Sequence, residues 1–379
     1  MLKLHFGVLC AALAAAAPLP AQQAAPIPPS CAAAERQFAR LVACLSEPGG
    51  EFDTDNLISN ERGYLHVIGA LARLGVRGGA YIGVGPDQNF SYIARVRPDV
   101  AYIIDVRRDN MLQHLLFKAL FARARNRAEY LALLLGRPVP ANVARWGDRP
   151  VDAIAAYADT TPATAASAAA ARALVLAEVR RTGVPLSTAD LATIERFHSA
   201  FIEAGLGLQF TSFGRPPRPY YPTLRQLVLE RDLEGRQASY LASEADFQFL
   251  KQLQRRDLVV PVVGNLAGGH ALPAIGRLVR QRGERISAFY TSNVEDYLLR
   301  DGSFDRYART VASLPHEPRS VIIRSYFGRN FGGPSLPQTV PGYYSTQLLQ
   351  RIDVLAAGVA RGGYSSYREL VADGAIELR

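Results

Sequence analysis

The residues best placed to do chemistry lie between Tyr81 and Asp105, in YIGVGPDQNFSYIARVRPDVAYIID. A short apolar run, Ala80 to Val84, ends in Gly83-Val84-Gly85. A helical stretch follows, and then a second apolar run, Val100 to Asp105, that ends on an acid. Glycines at such a turn let a ligand approach the backbone, and the helix behind them offers free amides. Asp105 lies 20 residues after Gly85, close to the ~20 at which an acid accepts hydrogen bonds from both ribose hydroxyls. The place of a third glycine holds Gln88, followed by Asn89. Asp87 brings a negative charge to the turn, which disfavours a diphosphate and suits a ligand carrying a cation. Adenosylmethionine is one such ligand.

Other polar residues stand directly after apolar runs. They are Arg107, Arg108 and Asn110 after VAYIID, Gly264 and Asn265 after LVVPVV, and Tyr290 closing ISAFY with Ser292 and Asn293 after it. In an open parallel sheet all these positions fall at the C-terminal ends of the strands, where ligands bind. The expected cofactor-binding set is therefore Gly83, Gly85, Asp87, Asn89, Asp105, Arg107, Asn265 and Asn293. Asn110, His114 and Lys118 recur every four residues and share one helix face; for Lys118 the expectation is a solvated position. The polar segment Phe52 to Glu61 could fold over the cleft as a lid, with Asp53, Asp55 and Glu61 as bases or cation binders; turn and capping chemistry accounts for them equally well. His66 and His270 would do acid–base work only from within the cleft, and His270 is the better placed. No catalytic residue is assigned. HExxH, GxSxG, paired CxxC and P-loop patterns do not occur, and no metal site is expected.

The elements that must position these residues alternate. Continuous apolar strands fit a sheet covered on both faces, and their alternation with helices gives a mostly parallel Rossmann-like sheet, an α/β fold. Helices are expected at Glu61 to Leu74, Phe90 to Val96, Asn110 to Arg125, Glu244 to Arg256, Ala271 to Arg282 and Val294 to Leu299. Further strands are expected at Ala238 to Leu241, Leu258 to Val263, Ile286 to Tyr290 and Val321 to Ser325. Pro261 is unusual inside its strand. Residues 51–145 form the first half of the sheet domain and 238–326 the second. Between them, 146–237 reads as a helical insertion, with helices at Ala163 to Arg181 and Thr188 to Ala204. Residues 327–379 read as a loop and helical tail.

The chain has 379 residues, 49% of them hydrophobic and 20% charged, which suffices for a large core. Its formal charge of +9 is spread along the chain; with no basic block or zinc-finger spacing, no nucleic-acid partner is expected. Residues 1–21 have the pattern of a cleaved signal peptide: Lys3, an apolar run from Phe6 to Ala17, and small residues ahead of Gln22. Export to the periplasm or medium follows, with no integral membrane segment after cleavage. Residues 22–50 hold a flexible lead-in and a helix, Ala32 to Leu45, flanked by Cys31 and Cys44. Removal of the signal takes Cys10 with it and leaves these two, and an even cysteine count in an oxidising compartment suggests a disulfide, but a straight helix would hold the two apart, so a bridge requires a bend or a helix end at Cys44.

Taken together, FDTDNLISNE, YIGVGPDQNFSYIA, IIDVRRDNMLQHLLFKALF, VVPVVGNLAGGHALPAIG and FYTSNVEDYL resemble a group of uncharacterised bacterial exported proteins and lipoproteins, leptospiral ones among them, with a methyltransferase-like Rossmann core. The resemblance spans most of residues 52 to 300. It implies a fold similar to adenosylmethionine-dependent methyltransferases and brings no substrate or catalytic residue. Those enzymes carry an acid just before the first glycine, where this chain has Ala80-Tyr81-Ile82. They often carry an acidic or Asn-Pro-Pro-Tyr motif after the fourth strand; with LVVPVV as that strand, the chain has Gly264-Asn265-Leu266-Ala267. Two functions of different class follow: a methyltransferase-like enzyme with a nucleoside-type small-molecule ligand, or a binding or scaffold protein of the envelope without turnover. A hydrolase of envelope material using an Asp/His pair is a third.

Overall fold

The computed structural model describes residues 31–34, 37–215, 218–327 and 335–379. The expected signal peptide lies outside the described residues. Six strands form one sheet: β1 (Ala80–Gly83), β2 (Val100–Asp105), β3 (Val259–Val263), β4 (Ile286–Ser292), β5 (His316–Tyr326) and β6 (Thr346–Arg351). Their spatial order is β3-β2-β1-β4-β5-β6. Strands β1 to β5 are parallel, and β6 runs antiparallel to β5. The Rossmann-like α/β expectation holds. The strand order reverses between β1 and β4, and that switch point is where such sheets open a crevice at their C-terminal edge.

Residue choice explains the register. Tyr81, Ile82, Tyr102, Ile103 and Val260 are fully buried, as strands covered on both faces require. Pro261 pairs with Ile103 on β3, which is an edge strand. Its missing N–H therefore leaves no ladder partner wanting.

Several helices begin on local signals. Ser187 and Asp190 form a reciprocal capping box for Thr188–Ala204, and Thr164 and Ser167 do the same for Ala165–Arg181. The expected helix from Glu61 to Leu74 is a 3-10 turn, Tyr64–Val67, continued by a short α-helix, Ile68–Arg73. The stretch Ala32 to Leu45 divides into a 3-10 turn, Cys31–Ala34, and a helix, Phe38–Leu45. That break brings Cys31 and Cys44 to a Cα separation of 5.8 Å, and they form a disulfide.

Two expectations change. Ala238 to Leu241 is not a strand: Ser239 and Tyr240 turn inward to bond Val228 and Ser91 instead of entering a ladder. LVVPVV is consequently the third strand, and the fourth is β4, ending at Ser292. The tail, in turn, supplies β6. Its sequence TQLLQR lacks alternation because Gln347 and Gln350 are buried beside Leu348 and Leu349.

Gln350 belongs to a buried ionic network that fastens this edge. Glu295 and Arg324 have side chains 0% and 1% exposed. Arg324 Nη2 donates to Glu295 at 3.0 Å and Nη1 donates to Gln350 at 2.7 Å. Tyr307 donates to Glu295 at 3.0 Å. Gln350 then donates to the carbonyls of Leu370 and Asp373, tying down the C-terminal helix Tyr367–Ala372. Removing one partner strands the other charge in the core. Arg324→Met is expected to lower unfolding free energy by about 3–5 kcal/mol, measured as a shift in urea midpoint against wild type.

Candidate functional site

The glycine turn is built as its residue types require. A Cβ on Gly83 would collide with Asn89 Oδ1 and the Tyr81 ring. Asn89 is fully buried there, accepting from Tyr81 Oη at 2.8 Å and donating to the carbonyls of Val84 and Pro86, both at 2.8 Å. Asn89 thus braces the turn from inside. Gly85 has φ +79°, left-handed and suited to glycine, and its open side faces Asn56 Nδ2. The helix Gln88–Val96 starts directly behind it.

Asp105 stands at the tip of β2 beside this turn, and its carboxylate is engaged. Arg107 Nε donates to Oδ1 at 3.0 Å and Nη2 to Oδ2 at 2.7 Å, while the Arg107 backbone N–H donates to Oδ1 at 2.9 Å. The guanidinium also donates from Nη1 to the carbonyls of Thr54 (2.9 Å) and Asp55 (2.7 Å). The segment from Asp53 to Asn56 therefore lies across the sheet edge as a strap. Arg196 pairs with Asp55 and Arg215 with Asp53 at its outer side, and Gln113 Nε2 donates to the Leu57 carbonyl at 2.6 Å. This is part of the segment expected as a lid, and it lies across the edge.

Glu61 continues the strap into the switch point. It is 1% exposed, and its carboxylate accepts from Tyr290 Oη at 2.9 Å, Gln88 Nε2 at 3.1 Å, Gln347 Nε2 at 3.4 Å and the Ser292 hydroxyl. All four donors are neutral. Ser292 holds φ +54° at the end of β4, where Tyr367 Oη donates to its carbonyl at 3.1 Å. Gln347 escaped the sequence reading because its strand did; Gln88 was visible only as the residue in a third glycine's place, and Tyr290 only by its position at the end of an apolar run.

The other expected site residues divide. Asn293 follows Ser292 at the tip of β4, with its Oδ1 3.3 Å from the hydroxyl that Ser292 directs to Glu61. Asn265 is exposed at the tip of β3, where its Oδ1 caps the Ala267 N–H at 2.9 Å and its own N–H donates to Glu47 at 2.8 Å. Asp87 faces a small cavity lined by Tyr64, Gln88, Leu227, Ser239 and Tyr240, which leaves about 10 Å³ for the centre of a water molecule, room for one water. Tyr240 Oη donates to Asp87 at 3.1 Å. Burial raises the Asp87 carboxyl to about 6, against the lowering effect of that bond and of its own backbone.

The histidines are occupied. His66 is buried edge-on against Tyr343, and burial lowers it to about 4. His270 Nε2 lies 2.8 Å from the Cys44 carbonyl, to which it donates. Arg108 pairs with Asp190 at 2.8 Å. Lys118 is not solvated: its side chain is 11% exposed, paired with Asp257 at 2.7 Å and lying over the Phe38 ring. Among the described residues no group of His, Cys, Asp or Glu gathers as a metal site requires, and no helix is long and apolar enough to cross a membrane.

The fold and its edge define a Rossmann-like α/β protein whose switch-point crevice is covered by its own N-terminal strap. Residues 57–139 and 211–370 match a family described as a domain of unknown function, DUF7790, and the chain belongs to that family. The matched blocks contain all six strands. The match carries no lipoprotein or methyltransferase assignment, and no curated protein matches the chain.

Asp87 provides a test of this geometry. A carboxyl that titrates higher when folded holds more protons in the folded state between about 4 and 6, so stability falls as pH rises through that window and levels off above it. Asp87→Asn removes this loss. Its stability relative to wild type should rise by on the order of 3 kcal/mol between pH 4 and pH 7, read from urea midpoints at both values. A pH-independent difference would mean that Asp87 titrates as an exposed acid.

Proposed function

We propose that this protein is exported and binds a small nucleoside-type ligand, adenosylmethionine among the candidates, at the C-terminal edge of its sheet. The observation that carries the reading is the placement of Gly85 and Asp105 side by side under one strap, Asp53 to Asn56. A glycine turn opening a helix suits close approach of a ligand, and an acid on the neighbouring strand tip suits ribose hydroxyls. The resemblance to exported proteins with a methyltransferase-like core points the same way. The corrected strand count puts Asn293 directly after the fourth strand, at the edge where such sheets bind ligands. Asn293 lies at the same edge as the turn, while Asn265 and Asn89 contribute shape.

A second reading has its own support. Arg107 already neutralises Asp105, and Glu61 with its donors fills the switch point. A protein that kept the fold and closed the crevice would serve as a non-catalytic ligand-binding or scaffold component of the envelope.

Isothermal titration of the purified protein with adenosylmethionine and adenosylhomocysteine separates the two. The nucleoside reading expects dissociation constants on the order of micromolar. It expects loss of binding in Asp105→Asn, shown folded by circular dichroism. Arg107→Ala, which frees both the acid and the strap, is expected to tighten binding about tenfold or more. No heat with wild type or Arg107→Ala would leave the scaffold reading.

A further inference from the structure

The helix Arg108–Arg123 passes beneath the glycine turn, and three polar side chains in its first two turns have unmet hydrogen-bonding capacity. Asn110 is 1% exposed, yet neither its Oδ1 nor its Nδ2 finds a hydrogen-bond partner among the described residues. His114 is 2% exposed. Its Nε2 lies 2.9 Å from the Gly85 carbonyl. A carbonyl only accepts, so Nε2 carries the proton, and Nδ1 is left as a lone-pair acceptor without a partner among the described residues. Gln113 is 0% exposed and spends its amide N–H on the Leu57 carbonyl of the strap, while its Oε1 is likewise unmet. Spacings of three and four residues place all three on one helix face. Burial lowers the His114 imidazole to about 4, so it is neutral at ordinary pH.

Buried polar atoms of native proteins are nearly always satisfied, because leaving them dry is costly. Four such atoms on one face, under a strap and against the carbonyl of Gly85, need an occupant. The face offers acceptors from Asn110, Gln113 and His114 and a donor from Asn110. The charges that act on His114, Asp105 and Arg107, are paired with each other. The complementary partner is an uncharged edge with a donor beside an acceptor, as on a nucleobase.

We propose that Asn110 and His114 read the base edge of the nucleoside, with Gln113 linking that edge to the strap that closes over it. The proposal rests on the nucleoside reading above and adds what recognises the base. Entry requires the strap to lift. Its outer anchors, Arg196 to Asp55 and Arg215 to Asp53, rest on arginine side chains that are half exposed, so salt screens them.

The test uses adenosine and ribose as probes on the whole purified protein. Calorimetry is expected to show adenosine binding to wild type. Asn110→Leu, close in size and lacking both polar atoms, should stay folded, with a melting temperature at or above wild type, and lose at least tenfold in adenosine affinity. Ribose, which has no base, should bind both proteins alike. Independently of any variant, the ¹⁵N resonance of His114 Nδ1 should move on adding adenosine to wild type. Equal adenosine affinity in wild type and Asn110→Leu, or a His114 resonance that stays still while adenosine binds, overturns the base-reading role. The nucleoside reading would then stand, with ordered water as the occupant. Absence of adenosine binding to wild type overturns both.

Discussion

A carboxylate buried where the strand order reverses has to be surrounded by hydrogen-bond donors, and the edge of this molecule is organised around that requirement. Glu61 enters the switch point with no cation paired to it among the described residues. Its oxygens are met by Tyr290 and Ser292 from the end of β4, Gln88 from the helix after β1, and Gln347 from β6. Uncompensated burial of a charge is among the most expensive arrangements a protein adopts. These four partners are therefore constrained together, although they come from segments up to 286 residues from Glu61 in sequence. Fixing Glu61 also fixes the chain leading into it. The strap from Asp53 to Asn56 is consequently drawn over Asp105, where Arg107 clamps two of its carbonyls.

The second buried acid shows the other solution to the same problem. Glu295, at the start of the helix after β4, is matched by Arg324 on β5, with Tyr307 and Gln350 completing the shell. A paired charge of this kind adds little net stability but penalises any packing that separates its partners. It pins β5, β6 and the C-terminal helix to one another. The sheet thus has two polar clusters on adjacent strands with different characters. One is an ion pair closed on itself; the other is an acid held by neutral donors beside a strap secured partly by exposed contacts.

Much of the fold was legible because its signals are local. Strands covered on both faces read as unbroken apolar runs, and helices such as Thr188–Ala204 are opened by their own capping residues. What failed depended on distant partners. Ala238 to Leu241 has a strand's composition, but the Ser239 hydroxyl donates to the Val228 carbonyl and the Tyr240 N–H to the Ser91 hydroxyl. TQLLQR looks polar because its glutamines are satisfied by Glu61, Ser325 and Arg324, which no local pattern reveals. The site was legible to the same extent. Gly83, Gly85 and Asp105 gather on one edge as their spacing implies. That Arg107 would answer Asp105 is visible two residues away, but its bonds to Thr54 and Asp55 are not. Asn89 illustrates a further limit, since its place after a glycine turn suits a ligand contact and an internal brace equally.

The distribution of these features along the chain bears on how the edge works. The glycine turn, Asp105, Arg107, Glu61 and its four donors all fall within the blocks matched by the family. The residues that close the strap from outside are drawn partly from elsewhere: Asp53 and Asp55 precede residue 57, and Arg196 lies between the two matched blocks. Arg108, inside the first block, is likewise held by Asp190 from that intervening stretch. The helices between 140 and 210 therefore do more than decorate the sheet. Their charged residues reach back to the start of the helix after β2, the same helix whose buried face carries Asn110 and His114. A change in how those helices sit would alter the strap and the helix start together, because Arg196 contacts both Asp55 and Asp109. Access to the covered edge is in this way a property of the insertion as much as of the sheet.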